Sequence, residues 1–194
     1  MLSTATIWRF LFQPAVLVML IASAVIALPA GRWLARRYRC PRSVAVGFVV
    51  ACGVVVSLTA VNGSMYGRPF SERWWIPDYL RQLTYDGFLY AELTSLCGNP
   101  EEVANVLLFV PVGFLGCLLW RSALRTVAFV ACFTLAVETW QSIIGRASSL
   151  GDLLHNVIGG IAGVLLALIV RGLMSRRHGG ERSNHRPGSV RVTR

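Results

Sequence analysis

Five apolar stretches, at about 11–30, 43–61, 103–120, 123–144 and 153–170, dominate this chain of 194 residues. Each approaches the roughly 20 residues that a helix needs to cross about 30 Å of hydrocarbon. Inside hydrocarbon every backbone N–H and C=O has to be satisfied internally, so such runs form closed helices. The expectation is an all-α fold, a polytopic transmembrane bundle of about five helices. Composition points the same way: 55% hydrophobic residues, 14% charged residues and a mean hydropathy of +0.57 exclude an ordinary soluble domain.

The first stretch ends in small residues, Ala27-Leu28-Pro29-Ala30, as a cleaved leader would. Its charges run the wrong way for one. Only Arg9 precedes the apolar run, whereas Arg32, Arg36, Arg37, Arg39 and Arg42 follow it, so it reads as a retained helix.

Net charge is +10, from 19 basic residues, all of them Arg, and 9 acidic ones. That balance would suit a nucleic-acid partner, but these arginines lie in short segments flanking apolar runs, as topology signals do. No nucleic acid is expected. Taken by alternate sides, five arginines (Arg9, Arg68, Arg73, Arg81, Arg146) oppose fourteen: Arg32, Arg36, Arg37, Arg39, Arg42, Arg121, Arg125 and the seven from Arg171 to Arg194. The positive-inside rule puts the richer side in the cytoplasm, with the N-terminus outside and the C-terminus inside.

Four regions follow. Residues 1–61 form an N-terminal helix pair, 62–102 an extracytoplasmic connection, 103–170 a three-helix core, and 171–194 a basic, cytoplasmic, disordered tail able to touch anionic lipid. The connection carries Glu72, Asp78, Asp86, Glu92, Glu101 and Glu102 among Tyr66, Phe70, Trp74, Trp75, Tyr79, Tyr85, Phe88 and Tyr90. Such rings serve as interfacial anchors, or alternatively as a stacking platform for a sugar or lipid headgroup. Five cysteines (Cys40, Cys52, Cys97, Cys117, Cys132) show no C-x-x-C spacing, so no disulfide framework, metal site or cofactor is expected.

The polar residues within the three-helix core carry the functional information. Asn105, Glu138, Gln141, Arg146, Asp152 and Asn156 fall at the ends of the last three apolar runs, where an ionisable group costs about 2.5–3.5 kcal/mol at membrane depth. Alternate crossings bring all of them to the extracytoplasmic side. Glu138 and Gln141 are spaced i,i+3 and Asp152 and Asn156 i,i+4, so each pair shares a helix face. Arg146 lies in the short connection between them, where Ser148 and Ser149 are placed to cap the last helix. His155 stands i,i+3 from Asp152; a proton relay is one reading, an interfacial or hydrogen-bonded histidine the other. Pro111 and Gly113 mark either a kink opening a pocket below Asn105 or a packing adjustment. Gly159 and Gly163 form a G-x-x-x-G pair that admits a close helix neighbour, within the bundle or in a homo-oligomer.

Three motifs, NVLLFVPVGFLG at 105–116, ETWQSIIGR at 138–146 and SLGDLLHNVIGGIAG at 149–163, resemble those of the VanZ-like family of bacterial membrane proteins. The resemblance covers about 60 of the 194 residues strongly. It implies a multi-pass protein of the bacterial cell membrane linked to the cell envelope. Asn105 and Pro111 carry the first part of the pattern, and Glu138, Gln141, Arg146, Asp152 and Asn156 the rest. The founding member is associated with resistance to the glycopeptide teicoplanin, so the resemblance brings antibiotic resistance into view without a reaction.

Four functions are open to such a chain. The polar cluster can bind an envelope lipid or a lipid-linked cell-wall precursor. It can act on one, with Glu138 or Asp152 as general acid or base. No Ser-His-Asp order, H-E-x-x-H spacing or phosphate-cradling glycine loop accompanies those carboxylates, which favours binding over catalysis. A small transporter subunit is the third possibility, and a purely structural cluster that fixes helix packing is the fourth.

Overall fold

The computed structural model describes residues 12–59, 77–88, 90–91, 100–144 and 148–183. Most of these residues lie in helices α1 (Pro14–Tyr38), α2 (Arg42–Thr59), a short α3 (Asp78–Gln82), α4 (Pro100–Trp120), α5 (Ala123–Ile143) and α6 (Leu150–Ser183). Five of them are long and apolar enough to cross a membrane, α6 over Leu150–Ser175. The chain is an all-α helical bundle of the multi-pass membrane type.

Helix bounds depart from the apolar runs for readable reasons. α1 runs on past residue 30 to Tyr38 because arginines extend a helix while their charged heads reach for water, and Pro29 sits inside it without ending it. The helix stops where Arg39 turns left-handed (φ 50°) and Cys40 N–H bonds back to the Ala35 carbonyl at 3.2 Å. α4 starts at Pro100, with Glu101 and Glu102 in its first turn, so the end of the 62–102 connection is helical. A proline at the start and acids in the first turn suit the orphan N–H groups and the helix dipole there. α6 continues beyond 170 to Ser183. The rest of the tail, 184–194, and the aromatics Tyr66, Phe70, Trp74 and Trp75 lie outside the described residues.

Small residues let the helices meet. α1 and α2 form a hairpin in which Gly31 lies against Val46 and Gly53 against Ser23. α4 and α6 make the most extensive contact in the bundle, with α5 packed against both. At their crossing, Gly159 rests on the Val106 carbonyl, Gly163 on the Val110 carbonyl, and Gly113 on the Gly160 carbonyl. The G-x-x-x-G pair thus faces α4 of the same chain. Gly113 has the same role; neighbouring Pro111 faces outward and α4 carries on through it to Trp120.

The apolar core binds α1, α2, α4 and α5 through Ala35, Phe48, Val55, Phe109, Val112, Leu119 and Val130. At the hairpin end Trp120 meets Phe48 and Phe129, each with ring centroids 5.1 Å apart, and Tyr38 edge-on at 6.4 Å. The 39–41 and 121–122 turns therefore share one end of the bundle. The start of α4, the end of α5 and the start of α6 share the other.

Candidate functional site

At that second end the α6 start is built by Ser149. Its Oγ accepts the Asp152 N–H at 2.9 Å, the capping geometry of a Ser three residues ahead of an acid. The Ser149 backbone N–H donates in turn to Glu138 Oε2 of α5 at 3.2 Å. Glu138 is 1% exposed, so its carboxylate reaches the neighbouring helix start from a buried position. Asn105 of α4 donates Nδ2–H to Asp152 Oδ1 at 2.6 Å. Residues from α4, α5 and α6 are thus tied at one place by hydrogen bonds to two carboxylates.

One turn deeper stand His155 and Asn156, 1% and 3% exposed. His155 Nδ1 lies 2.7 Å from the Gly151 carbonyl, a contact that requires the proton on Nδ1. Its Nε2 points at Glu102 Oε2 of α4 across 3.8 Å, beyond hydrogen-bond reach. The histidine therefore faces Glu102, not its helix neighbour Asp152. Asn156 turns the other way and donates Nδ2–H to Thr134 Oγ1 of α5 at 2.8 Å. His155 Nε2 and Asn156 Oδ1 are buried and have no hydrogen-bond partner among the described residues. Gln141, 6% exposed, sits on α5 close to Glu138 in sequence, without a hydrogen bond among the described residues.

The short α3 closes this end from the connection side. Gln82 Oε1 accepts the Leu150 N–H at 2.6 Å, and the Tyr79 hydroxyl meets Thr139 Oγ1 at 3.0 Å. Tyr79, 7% exposed, packs as a buried anchor, whereas Tyr85 and Tyr90 stay open.

Of the residues singled out by sequence, Asn105 and Asp152 are brought into direct contact, Glu138 joins them through Ser149, and Asn156 lies deeper on a separate bond. Arg146 lies outside the described residues. Glu102, Thr134 and Gln82 were not singled out. Glu102 had a signal, since it is spaced i,i+3 from Asn105 on the same helix face. Thr134 and Gln82 had none, because only the folded helix pairing shows what they meet.

The family model described as VanZ/LLP1 matches residues 55–171, more than half of the chain. The chain belongs to the VanZ-like family. No curated protein and no solved structure matches it. The match takes in all three motifs and every residue of the polar end, together with the whole of α4, α5 and the membrane-crossing part of α6 up to Arg171.

Proposed function

We propose that this VanZ-like protein sits in the bacterial cell membrane with its N-terminus outside and its C-terminus in the cytoplasm. Its polar end then opens outward and binds, or acts on, an envelope lipid or a lipid-linked cell-wall precursor headgroup. The observation that carries this reading is the pair of buried atoms without a hydrogen-bond partner among the described residues, His155 Nε2 and Asn156 Oδ1, beneath the Asn105–Asp152 and Glu138–Ser149 bonds. Leaving such atoms unpaired costs about 1–3 kcal/mol each, and a ligand bearing hydroxyl or amine donors would recover it. Glu138 and Asp152 are the candidates for acid or base work on that ligand, and Asn105, Gln141, Arg146 and Asn156 for holding it. A link to teicoplanin-type resistance belongs to the same proposal.

A second reading has its own support. Asn105–Asp152 and Asn156–Thr134 each bridge two helices and would fix the bundle with no ligand at all. The two readings separate in Glu138→Gln and Asp152→Asn variants, assayed for glycopeptide susceptibility, envelope integrity and membrane abundance. Loss of the phenotype at unchanged abundance supports the ligand site. Abundance falling in step with activity supports the packing role.

A further inference from the structure

At the opposite end of the bundle, α1 and α2 form an open cleft of about 380 Å³ lined by Arg32, Ala35, Arg36, Cys40 and Arg42. Its size lies within the roughly 300–1,000 Å³ of small-ligand pockets. Three arginines from two helices thus line one concavity. None of the three has an ion-pair partner among the described residues; Arg36 only turns its Nε–H to the Arg32 carbonyl at 3.4 Å. Of the nine acidic residues none lies before Glu72 or between Asn105 and Val137, and on this side of the bundle the sequence carries only Glu181, ten residues past Arg171. Arg121 and Arg125, at the adjoining turn, add charge of the same sign. Arg37 is set apart from the cleft, stacked over the Tyr38 ring at 5.6 Å.

Unpaired guanidinium groups in a concave site match a phosphate group, whose oxygens accept their paired N–H donors. The surroundings favour a lipid as its carrier. The cleft lies at the ends of two membrane-length helices, and above it α1 leaves Ile21, Val25 and Leu28 more than half exposed, an open apolar face for acyl chains. Trp33, 62% exposed, stands beside Arg32 where an aromatic ring sits at headgroup depth. We propose that the cleft between α1 and α2 is a binding site for the phosphate of an anionic lipid headgroup, held by Arg32, Arg36 and Arg42. This site is separate from the polar end and stands whether or not that end binds a ligand.

The test uses the full chain purified in detergent and native mass spectrometry with equimolar phosphatidylglycerol and phosphatidylcholine. The wild-type protein is expected to retain one phosphatidylglycerol with about a tenfold preference. An Arg32→Gln/Arg36→Gln/Arg42→Gln variant should lose that preference. Because it also removes topology signals, Arg32→Lys/Arg36→Lys/Arg42→Lys, which keeps every charge, is measured beside it. Lysine lacks the guanidinium fork, so the preference should fall severalfold. Arg121→Gln/Arg125→Gln, outside the cleft, should keep it. Absence of a preference in the wild type, an unchanged preference in the lysine variant, or an equal loss in Arg121→Gln/Arg125→Gln would overturn the site. Displacement of the lipid by millimolar glycerol phosphate would overturn the lipid as its occupant and assign the cleft to a soluble phosphate.

Discussion

Replacing Gly163 by alanine tests the α4–α6 crossing on which the polar end is built. A Cβ there would lie 2.6 Å from the Phe114 nitrogen and 3.1 Å from the Gly113 carbonyl carbon, as well as against the Val110 carbonyl oxygen. Ordinary contact begins near 3.4 Å, so the Phe114 nitrogen alone demands that α4 withdraw by about 0.8 Å, the difference between 3.4 and 2.6 Å, and the Val110 carbonyl oxygen, closer still, demands more. Overpacking of this kind costs about 1–3 kcal/mol, and two rigid backbones place Gly163→Ala at the upper end. Alanine's better helix propensity returns about 1 kcal/mol, leaving a net loss of about 2 kcal/mol. Gly172 supplies the control within the same helix, because nothing lies within 4 Å of a Cβ there. Gly172→Ala should stabilise by about 0.5–1 kcal/mol, so the two variants should differ by about 3 kcal/mol. Reversible unfolding in bicelles, followed by tryptophan fluorescence, measures that difference. Two variants within 0.5 kcal/mol of each other would refute a backbone-to-backbone crossing at Gly163.

Thr134→Val should destabilise by about 1 kcal/mol in the same assay, since it strips the buried Asn156 amide of the hydroxyl it donates to. Adding Asn156→Leu should restore or exceed wild-type stability, because removing both partners leaves nothing unsatisfied; a double variant no better than Thr134→Val would contradict the pairing. Burial pushes the Cys40 thiol up, against the lowering pull of its backbone hydrogen bond and of Arg121. A raised thiol holds less thiolate at neutral pH, so iodoacetamide should label Cys40 slowly at pH 7–8 and faster as pH climbs past its pKa, with the other four cysteines changed to alanine. Labelling at pH 8 as fast as that of a small free thiol would contradict this.

The membrane helices were legible because length and hydropathy decide them almost alone, and the convergence of Asn105 with Asp152 followed from alternate crossings. What sequence could not supply was side-chain direction between helices. His155 stands i,i+3 from Asp152, yet its ring turns to Glu102 on α4. A helix face spans several neighbours, and spacing along one helix does not choose among them. Glu102 itself was hidden by the boundary at 102/103, which assigned it to the connection when Pro100 had already begun α4. Thr134 reads as one more small residue in an apolar run until Asn156 is opposite it. Gln82 is further still from any pattern: its bond to Leu150 N–H joins positions 68 residues apart.

The hydrogen bonds sort the polar residues into two layers with different physical demands. At the mouth, Ser149, Glu138 and Gln82 accept the N–H groups of the α6 start, which need acceptors in any fold, while Asn105 donates to the Asp152 carboxylate across α4 and α6. Capping accounts for the bonds to the α6 backbone. One turn below, His155 and Asn156 each spend one group on the scaffold and leave one buried atom without a hydrogen bond among the described residues. Gly159, Gly160 and Gly163 follow within two turns, where α6 meets α4 and α5 at its closest and needs no polar help to do so. Apolar side chains at 155 and 156 would serve the bundle better. A polar pair kept there at a cost, beneath two carboxylates, favours the proposed site for a donor-rich ligand over a packing device.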